Sequence, residues 1–397
     1  MIVEHSIQNT NPFRLSIIEI DYHPEVLRNF LKAIKGTNIK ATVYTTTSIG
    51  NSVRAALAFS FVEWIEKKEQ ESIEDFFNIH LERLNKEEAI FFNTLASNFS
   101  YFSKVEFKPP VILRLHNAST YLNFQKKYKP VLTPFQIFKD LSHFIRKELG
   151  ERETHFRNKF IEKVDYFNFP DSQIEKTANT RGWLKNKKTF PPIPFTVFDE
   201  SFLNTVQKEK VSITIIGSID QRRRNYKLVT GALSQSVKHF QNPVELYLLG
   251  RPRGNYGQEI INELEGLRSE NFDLVTYDKF VPEEEFERVM KETNFLIIPC
   301  LDQTRYHIYT EEYGKTKISG NIYDMIRFGK PALIPESYPV EEGPNKLIAQ
   351  YRDENALSEI LTLWVNNKQF ETMHSLIPLA LQAYKAEIVS QYIEDIF

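Results

Sequence analysis

Gly217 and Ser218 close a strand-like run, Arg222, Arg223 and Arg224 follow in one short loop, and Tyr226 opens a helical pattern. A strand end, guanidinium groups and a helix N-terminus together suit an anion, because free N–H groups and forked arginines both match phosphate oxygens. The plainer reading of three bases in a row is a solvated loop. The position at a strand's carboxyl end, where α/β folds bind ligands, favours the anion. Not all three arginines can point inward.

A second constellation lies further along the chain: Tyr313, Gly314, Lys315, Lys317, Ser319, Gly320, Asn321 and Asp324. Ser319 and Gly320 stand where a helix begins, so amides near Gly320 and Asn321 would face a bound anion, with Lys315 and Lys317 adding charge. Asp324, one turn in, can reach neighbouring hydroxyls of a sugar, as an acidic residue does for ribose in dinucleotide sites. Ser319 alone reads first as a helix cap. A third group, His116 and Asn117, ends an apolar strand, and histidine there suits work on hydroxyls near a reacting centre. His23, after the first strand, reads first as a turn before a helix and second as an acceptor contact, a role also open to Asn117.

The elements that must position these residues alternate between strand and helix patterns. Strands are expected at 15–20, 41–44, 89–92 and 111–115, and helices at 27–34, 53–84 and 135–149. Residues 170–198 are poorer in periodicity, and their end, with Pro191, Pro192 and Pro194 close together, reads as the approach to a linker between domains. The alternation resumes with strands at 212–216, 244–249 (closed by Gly250), 273–276, 295–299 and 332–334. Helices are expected at 226–240, 258–267, 283–291 and 320–328, and a polar loop spans 300–319. Strands alternating with helices make parallel sheets covered on both faces, here two doubly wound α/β domains in tandem.

The 397 residues are enough for two or three domains. A net charge of −2 argues against a general nucleic-acid binder. One cysteine, Cys300, excludes a disulfide framework or a cysteine metal cluster. Neither a signal peptide nor an apolar run of membrane-spanning length is visible, so a soluble cytoplasmic protein is expected. Arg181, Trp183, Lys185, Lys187 and Lys188 form a basic-aromatic patch. It reads first as a solvated loop and second as a peripheral contact with an anionic membrane at its inner face. With only 14 glycines, each glycine at a strand end is informative.

Residues 319–335, which run from Ser319 through Asp324 and Gly329 to Pro335, resemble the donor-site signature of retaining GT-B glycosyltransferases of the "group 1" type, relatives of glycogen and sucrose synthases. Gly217 with Arg224 and Asn225 is similar to their phosphate loop. The likeness covers residues 211–364 well and the first half weakly, through 16–21 and 111–117. It implies a GT-B fold of two Rossmann-like domains facing a cleft: an acceptor domain over 1–200, a nucleotide-sugar domain over 208–367, and residues 368–397 returning to the first. It also implies transfer from a nucleotide sugar to a hydroxyl of a glycan, lipid-linked or protein acceptor, with retention, no cofactor and no metal. No Asp-x-Asp pair is present to hold one.

By position, Arg224 (with Arg222 or Arg223) and Lys317 would hold the diphosphate, Asp324 the ribose, and His116 would lie by the reacting centre. Retention leaves the acceptor's proton to a diphosphate oxygen, so no side-chain base is expected. Thr316 occupies the place of the family's first glutamate, for which Glu311 or Glu312 is the nearest substitute. That departure keeps two alternatives open, a catalytically silent binding subunit and a nucleotide-sugar epimerase.

Overall fold

The computed structural model describes residues 11–56, 60–123, 138, 141, 142, 144–203, 209–306 and 309–397. The chain forms two compact units, one of residues 1–197, 305–311 and 386–397, the other of 198–304 and 312–385. Residues 368–385 thus group with the second unit and only 386–397 with the first.

In the first unit, β1 (Phe13–Glu19), β2 (Ile39–Thr46), β3 (Val62–Lys67), β4 (Ala89–Thr94), β5 (Val111–Arg114), β6 (Tyr166–Asn168) and β7 (Lys188–Phe190) form one sheet. Its order is β3-β2-β1-β4-β5-β6-β7, with parallel pairing throughout. Leu15, Ile17 and Ile18 are all fully buried, the near-continuous apolar run of a strand covered on both faces. Helix α1 (Pro24–Ile34) takes its start from Pro24, whose fixed φ suits a first helical position, and buries Leu27, Phe30, Leu31 and Ile34. Gly36, at φ +90°, turns the chain after it. The last helix, Ala386–Ile396, adds Val389 and Ile393 to the same core, and Ser390 Oγ donates to the Ala33 carbonyl at 2.6 Å.

Three expectations for this unit need correction. Residues 53–84 are not continuously helical, because β3 lies between the helices Thr47–Ala56 and Ile73–Leu84. Its register against β2, Ala41↔Val62 to Thr46↔Lys67, shows that a neighbouring strand decides the conformation of a segment whose pattern fits either state. The stretch 170–190, ahead of the proline-rich end, is more regular than its weak periodicity suggests: a helix, Ser172–Thr180, is capped by Asp171, and the three-residue β7 extends the sheet. The helix expected at 135–149 lies mostly outside the described residues, and Ile145–Gly150 is π-helical.

The second unit has β8 (Val211–Ile216), β9 (Val244–Leu249), β10 (Phe272–Thr276), β11 (Phe295–Ile297), β14 (Ala332–Pro335) and β15 (Ile348–Tyr351) in the parallel order β10-β9-β8-β11-β14-β15. The loop expected over 300–319 contains a strand pair, β12 (Gln303–Tyr306) with β13 (Tyr309–Glu312). Helix α2 (Tyr226–Ser236) starts behind β8, and helix α3 (Gly320–Phe328) starts after the strand pair. One core face is built around Ile213, Val229 and Leu361, the other around Ile216, Leu296 and Met325.

In both sheets the strand order reverses beside the first strand, between β1 and β4 and between β8 and β11. Ligands of doubly wound folds bind at the carboxyl ends of the strands at such a reversal. The three groups picked out in the sequence lie at these two places.

Candidate functional site

At the reversal in the second unit, Gly217 leaves β8 at φ +90°. A Cβ there would overlap the Arg224 guanidinium, and a Cβ on Gly250 would overlap the Gly217 carbonyl group. Both glycines are therefore needed for close approach, and Gly250 supports the loop from behind. The three arginines separate cleanly. Arg222 is exposed and bound to Asp220, its Nη2 3.1 Å from Oδ2. Arg223 is also exposed, its carbonyl receiving Leu301 N–H.

Arg224 alone turns inward, donating Nη1 to the Ser218 carbonyl at 3.2 Å and Nη2 to Asn321 Oδ1 at 3.1 Å. Asn321, nearly fully buried, also donates Nδ2 to the Ile216 carbonyl at 3.0 Å, tying the start of α3 to the end of β8. Among the described residues Arg224 makes no ion pair. Its partners are neutral oxygens, so its charge is oriented and uncompensated.

Ser319 caps α3, accepting Asn321 N–H at 3.4 Å, while its own N–H goes to Tyr338 Oη at 3.0 Å. Gly320 is exposed, and a Cβ there would meet nothing within 4 Å. In the first turn of α3, Asn321 N–H is taken by the cap and Ile322 N–H by the Ser319 carbonyl, so the exposed Gly320 and the positive end of the helix dipole lie beside the Arg224–Asn321 contact. Asp324 is half-buried one turn further on, and Lys317 is half-buried with Lys315 exposed. Tyr313 packs into the core, and Gly314, at φ +73°, lies against Pro339.

Thr316 closes the turn before α3, accepting Glu312 N–H at 2.8 Å and donating to its carbonyl at 3.4 Å. The Glu311 side chain is engaged away from the turn that holds Thr316. Its carboxylate belongs to the first unit, where it accepts Ser119 N–H at 3.2 Å and Thr120 N–H and Oγ1 at 2.8 and 2.6 Å, capping the helix Ala118–Leu122. Beside α2, a cleft of about 550 Å³ opens at the ends of β11, β14 and β15, lined by Asn225, Cys300, Asp302, Glu336, Tyr351 and Arg352. That volume is in the range of small-molecule sites. Burial pushes the Cys300 thiol up from its ordinary value, which keeps it inert.

At the reversal in the first unit the chemistry is acidic and imidazole-based. Glu19, at the end of β1, is fully buried and accepts Asn93 Nδ2 at 2.6 Å. Burial outweighs the hydrogen bonds from Asn93 and Thr94 and raises its carboxyl to about 7. Asn93 Oδ1 in turn accepts Arg114 Nη1 at 3.1 Å, and the buried Arg114 guanidinium lies over Phe30, Phe91 and Phe195 at 4.8–5.0 Å. Asp21 accepts Ala96 N–H at 2.7 Å, fixing the loop after β4.

His116 Nε2 lies 2.9 Å from the Asn93 carbonyl and 3.1 Å from Thr94 Oγ1. Its ring stacks on His23 at 4.4 Å with 4° between planes. His23 Nδ1 is 2.8 Å from Glu25 Oε1. Asn117 is the N-cap of the Ala118–Leu122 helix without a side-chain capping bond. Sequence reasoning missed Glu19, Asn93 and Glu25. The signal available was an acidic residue ending an apolar strand and another two residues past a histidine. In the basic-aromatic patch, Arg181 lies over Trp183 at 5.1 Å, and Lys187 is spent on the Glu162 and Val164 carbonyls at 2.8 Å. Among the described residues no helix is long and apolar enough to cross a membrane, and no three His, Cys, Asp or Glu side chains gather as a metal set.

No family model and no curated protein matches the sequence. Solved structures do match in fold. HepE of Anabaena in complex with UDP superposes with a TM-score of 0.60 at 13% identity, over 96% of this chain and 98% of that one. The pneumococcal O-GlcNAc transferase GtfA, in complex with UDP and GlcNAc, gives 0.60 at 8% identity, over 97% and 98%. A UDP-N-acetylglucosamine 2-epimerase gives 0.51 at 13%, over 96% and 94%. The fold is therefore GT-B, two parallel-sheet Rossmann-like units, as the resemblance implied.

Proposed function

We propose that this chain is a glycosyltransferase that moves a sugar from a nucleotide-sugar donor to a hydroxyl of a glycan, lipid-linked or protein acceptor. The carrying observation is the contrast between Arg222, neutralised by Asp220, and Arg224, held by neutral oxygens at the N-terminal end of α3. An oriented cation beside helix N–H groups suits the charge that develops on a departing nucleoside diphosphate. One such donor is worth about 3 kcal/mol in the transition state. Asp324 takes the ribose hydroxyls, and Lys317 adds charge. With this set the diphosphate needs no metal, so donor use is expected to persist in EDTA. The first unit handles the acceptor through His116, His23 and Asn117. The neighbours determined with UDP or UDP-glucose support the nucleotide class.

Thr316 and Glu311, whose side chains are both spent on structure, favour the silent binding subunit as second reading. A panel of nucleotide sugars, assayed for release of nucleoside diphosphate with and without acceptor sugars, separates the two. Metal-independent release from one donor supports the transferase. Binding without release from any donor supports the silent subunit.

A further inference from the structure

The cleft at the ends of β11, β14 and β15 carries a polar set of its own. Arg224, Ser319 and Asn321 are not among the residues that line it. Tyr351, the last residue of β15, does line it, while its side chain packs with the core around Val229 and Leu361 and the residue is only 3% exposed. Among the described residues the Tyr351 hydroxyl has no hydrogen-bond partner. It is not sealed from solvent, so it opens on the cleft. Hydroxyls this deep are nearly always hydrogen-bonded, and one left unmet costs stability. Burial pushes the phenol up from its ordinary value, so at neutral pH it is both a donor and an acceptor.

Around Tyr351 the rim is fixed, and its groups have bonding capacity left over. Asn225 caps α2 by accepting Leu228 N–H at 3.2 Å through Oδ1, which leaves the two donors of Nδ2. Asp302 Oδ1 accepts Ser337 Oγ and ties the loop after β11 to the loop after β14. Glu336 N–H goes to the Tyr351 carbonyl at 2.8 Å. Among the described residues neither Asp302 Oδ2 nor the exposed Glu336 carboxylate has a hydrogen-bond or ionic partner. Arg352 does not balance them, because its Nε lies 3.2 Å from Asp353 Oδ2. Two unbalanced carboxylates turn away phosphate, sulfate and uronate. What they do take is hydroxyl protons, while the amide donates to hydroxyl oxygens and the phenol does both. Leu228, Leu301 and Pro335 add the apolar surface that C–H faces need. Such a set fits a neutral sugar ring, and the cleft's 550 Å³ far exceeds the roughly 30 Å³ of a single water.

We propose that this cleft is a non-catalytic carbohydrate site that holds one neutral hexose unit. Tyr351 and Asn225 bond to its hydroxyl oxygens, and Asp302 and Glu336 take its O–H groups. The site uses none of the residues assigned to the nucleotide sugar, so it stands apart from the transferase reading.

The probes are the methyl glycosides of glucose, galactose, mannose and N-acetylglucosamine, titrated into the millimolar range with and without UDP and followed by saturation-transfer NMR. The wild type binds at least one of them, equally well in the presence of UDP. Tyr351→Phe weakens that binding by about 5-fold and Glu336→Gln by about 10-fold, with UDP affinity unchanged in both. A hydroxyl that serves a ligand and not the fold can be removed without harm, so the melting temperature of Tyr351→Phe does not fall. The proposal is overturned if the wild type binds no glycoside, or if UDP displaces the one it binds. Unchanged affinity in either variant overturns it too, as does a lower melting temperature in Tyr351→Phe. Failure of the wild type to bind UDP at all removes the diphosphate site and leaves the carbohydrate site standing.

Discussion

The two strand-order reversals use the same backbone frame for opposite chemistry. Where β8 and β11 end, glycines bring the chain close together and a buried asparagine holds one arginine at a helix N-terminus. Where β1, β4 and β5 end, a buried carboxyl, an asparagine relay and two stacked imidazoles fill the corresponding place. The first arrangement is a fixed positive charge and suits an anion. The second can exchange a proton and suits a hydroxyl. The difference lies in the last residues of the strands and in the segments that follow them, so the frame sets where chemistry occurs and the residues at the strand ends set which chemistry.

The frame itself is the place to strike hardest. Gly250→Ala would push a methyl into the Gly217 carbonyl, and about 3 kcal/mol should be lost in urea unfolding, together with UDP binding. Gly36→Ala, at φ +90° with open space around it, should cost only about 1 kcal/mol.

Protonation should separate the two units next. The Glu19 carboxyl rises from 4.5 to about 7 on folding, so the folded chain holds its proton longer, and stability falls as pH rises through that window. In the second unit Lys330 is buried behind α3, and burial lowers its ammonium from 10.5 to about 7. The folded chain there holds fewer protons, so stability rises between pH 7 and 10.5. Lys330→Met should stabilise by roughly 2 kcal/mol below pH 7, with the gain fading toward pH 10.5. Glu19→Gln should flatten the acid-side slope instead. Chemical unfolding across pH measures both. The smallest effect is expected from Asp324→Asn, a loss of about 1 kcal/mol in UDP affinity without a change in melting temperature.

Much of this frame was legible in the sequence. The long apolar strands and the helices with clear stops at Gly36 and Gly329 follow from period and punctuation. β3 was not legible, because Val62, Trp64 and their neighbours fit a helix as well as a strand until β2 lies beside them. The three-residue β6 and β7 are too short to show alternation. Scarce glycines marked Gly217 and Gly250, but which arginine turns inward depends on Asp220 and on Asn321, 97 residues away. Glu311 looked free for chemistry because its partners Ser119 and Thr120 lie more than 190 residues earlier. His23 looked like a turn residue because Pro24 follows it, and only side-chain geometry joins it to Glu25 and His116.

The most direct test is calorimetric titration of UDP into the wild type, Arg222→Ala and Arg224→Ala in EDTA. The expected result is equal affinity for wild type and Arg222→Ala, with Arg224→Ala weaker by about 30-fold, or about 2 kcal/mol. Equal binding by all three, or binding by none, would contradict the assignment of the β8–α3 junction as the donor's diphosphate site.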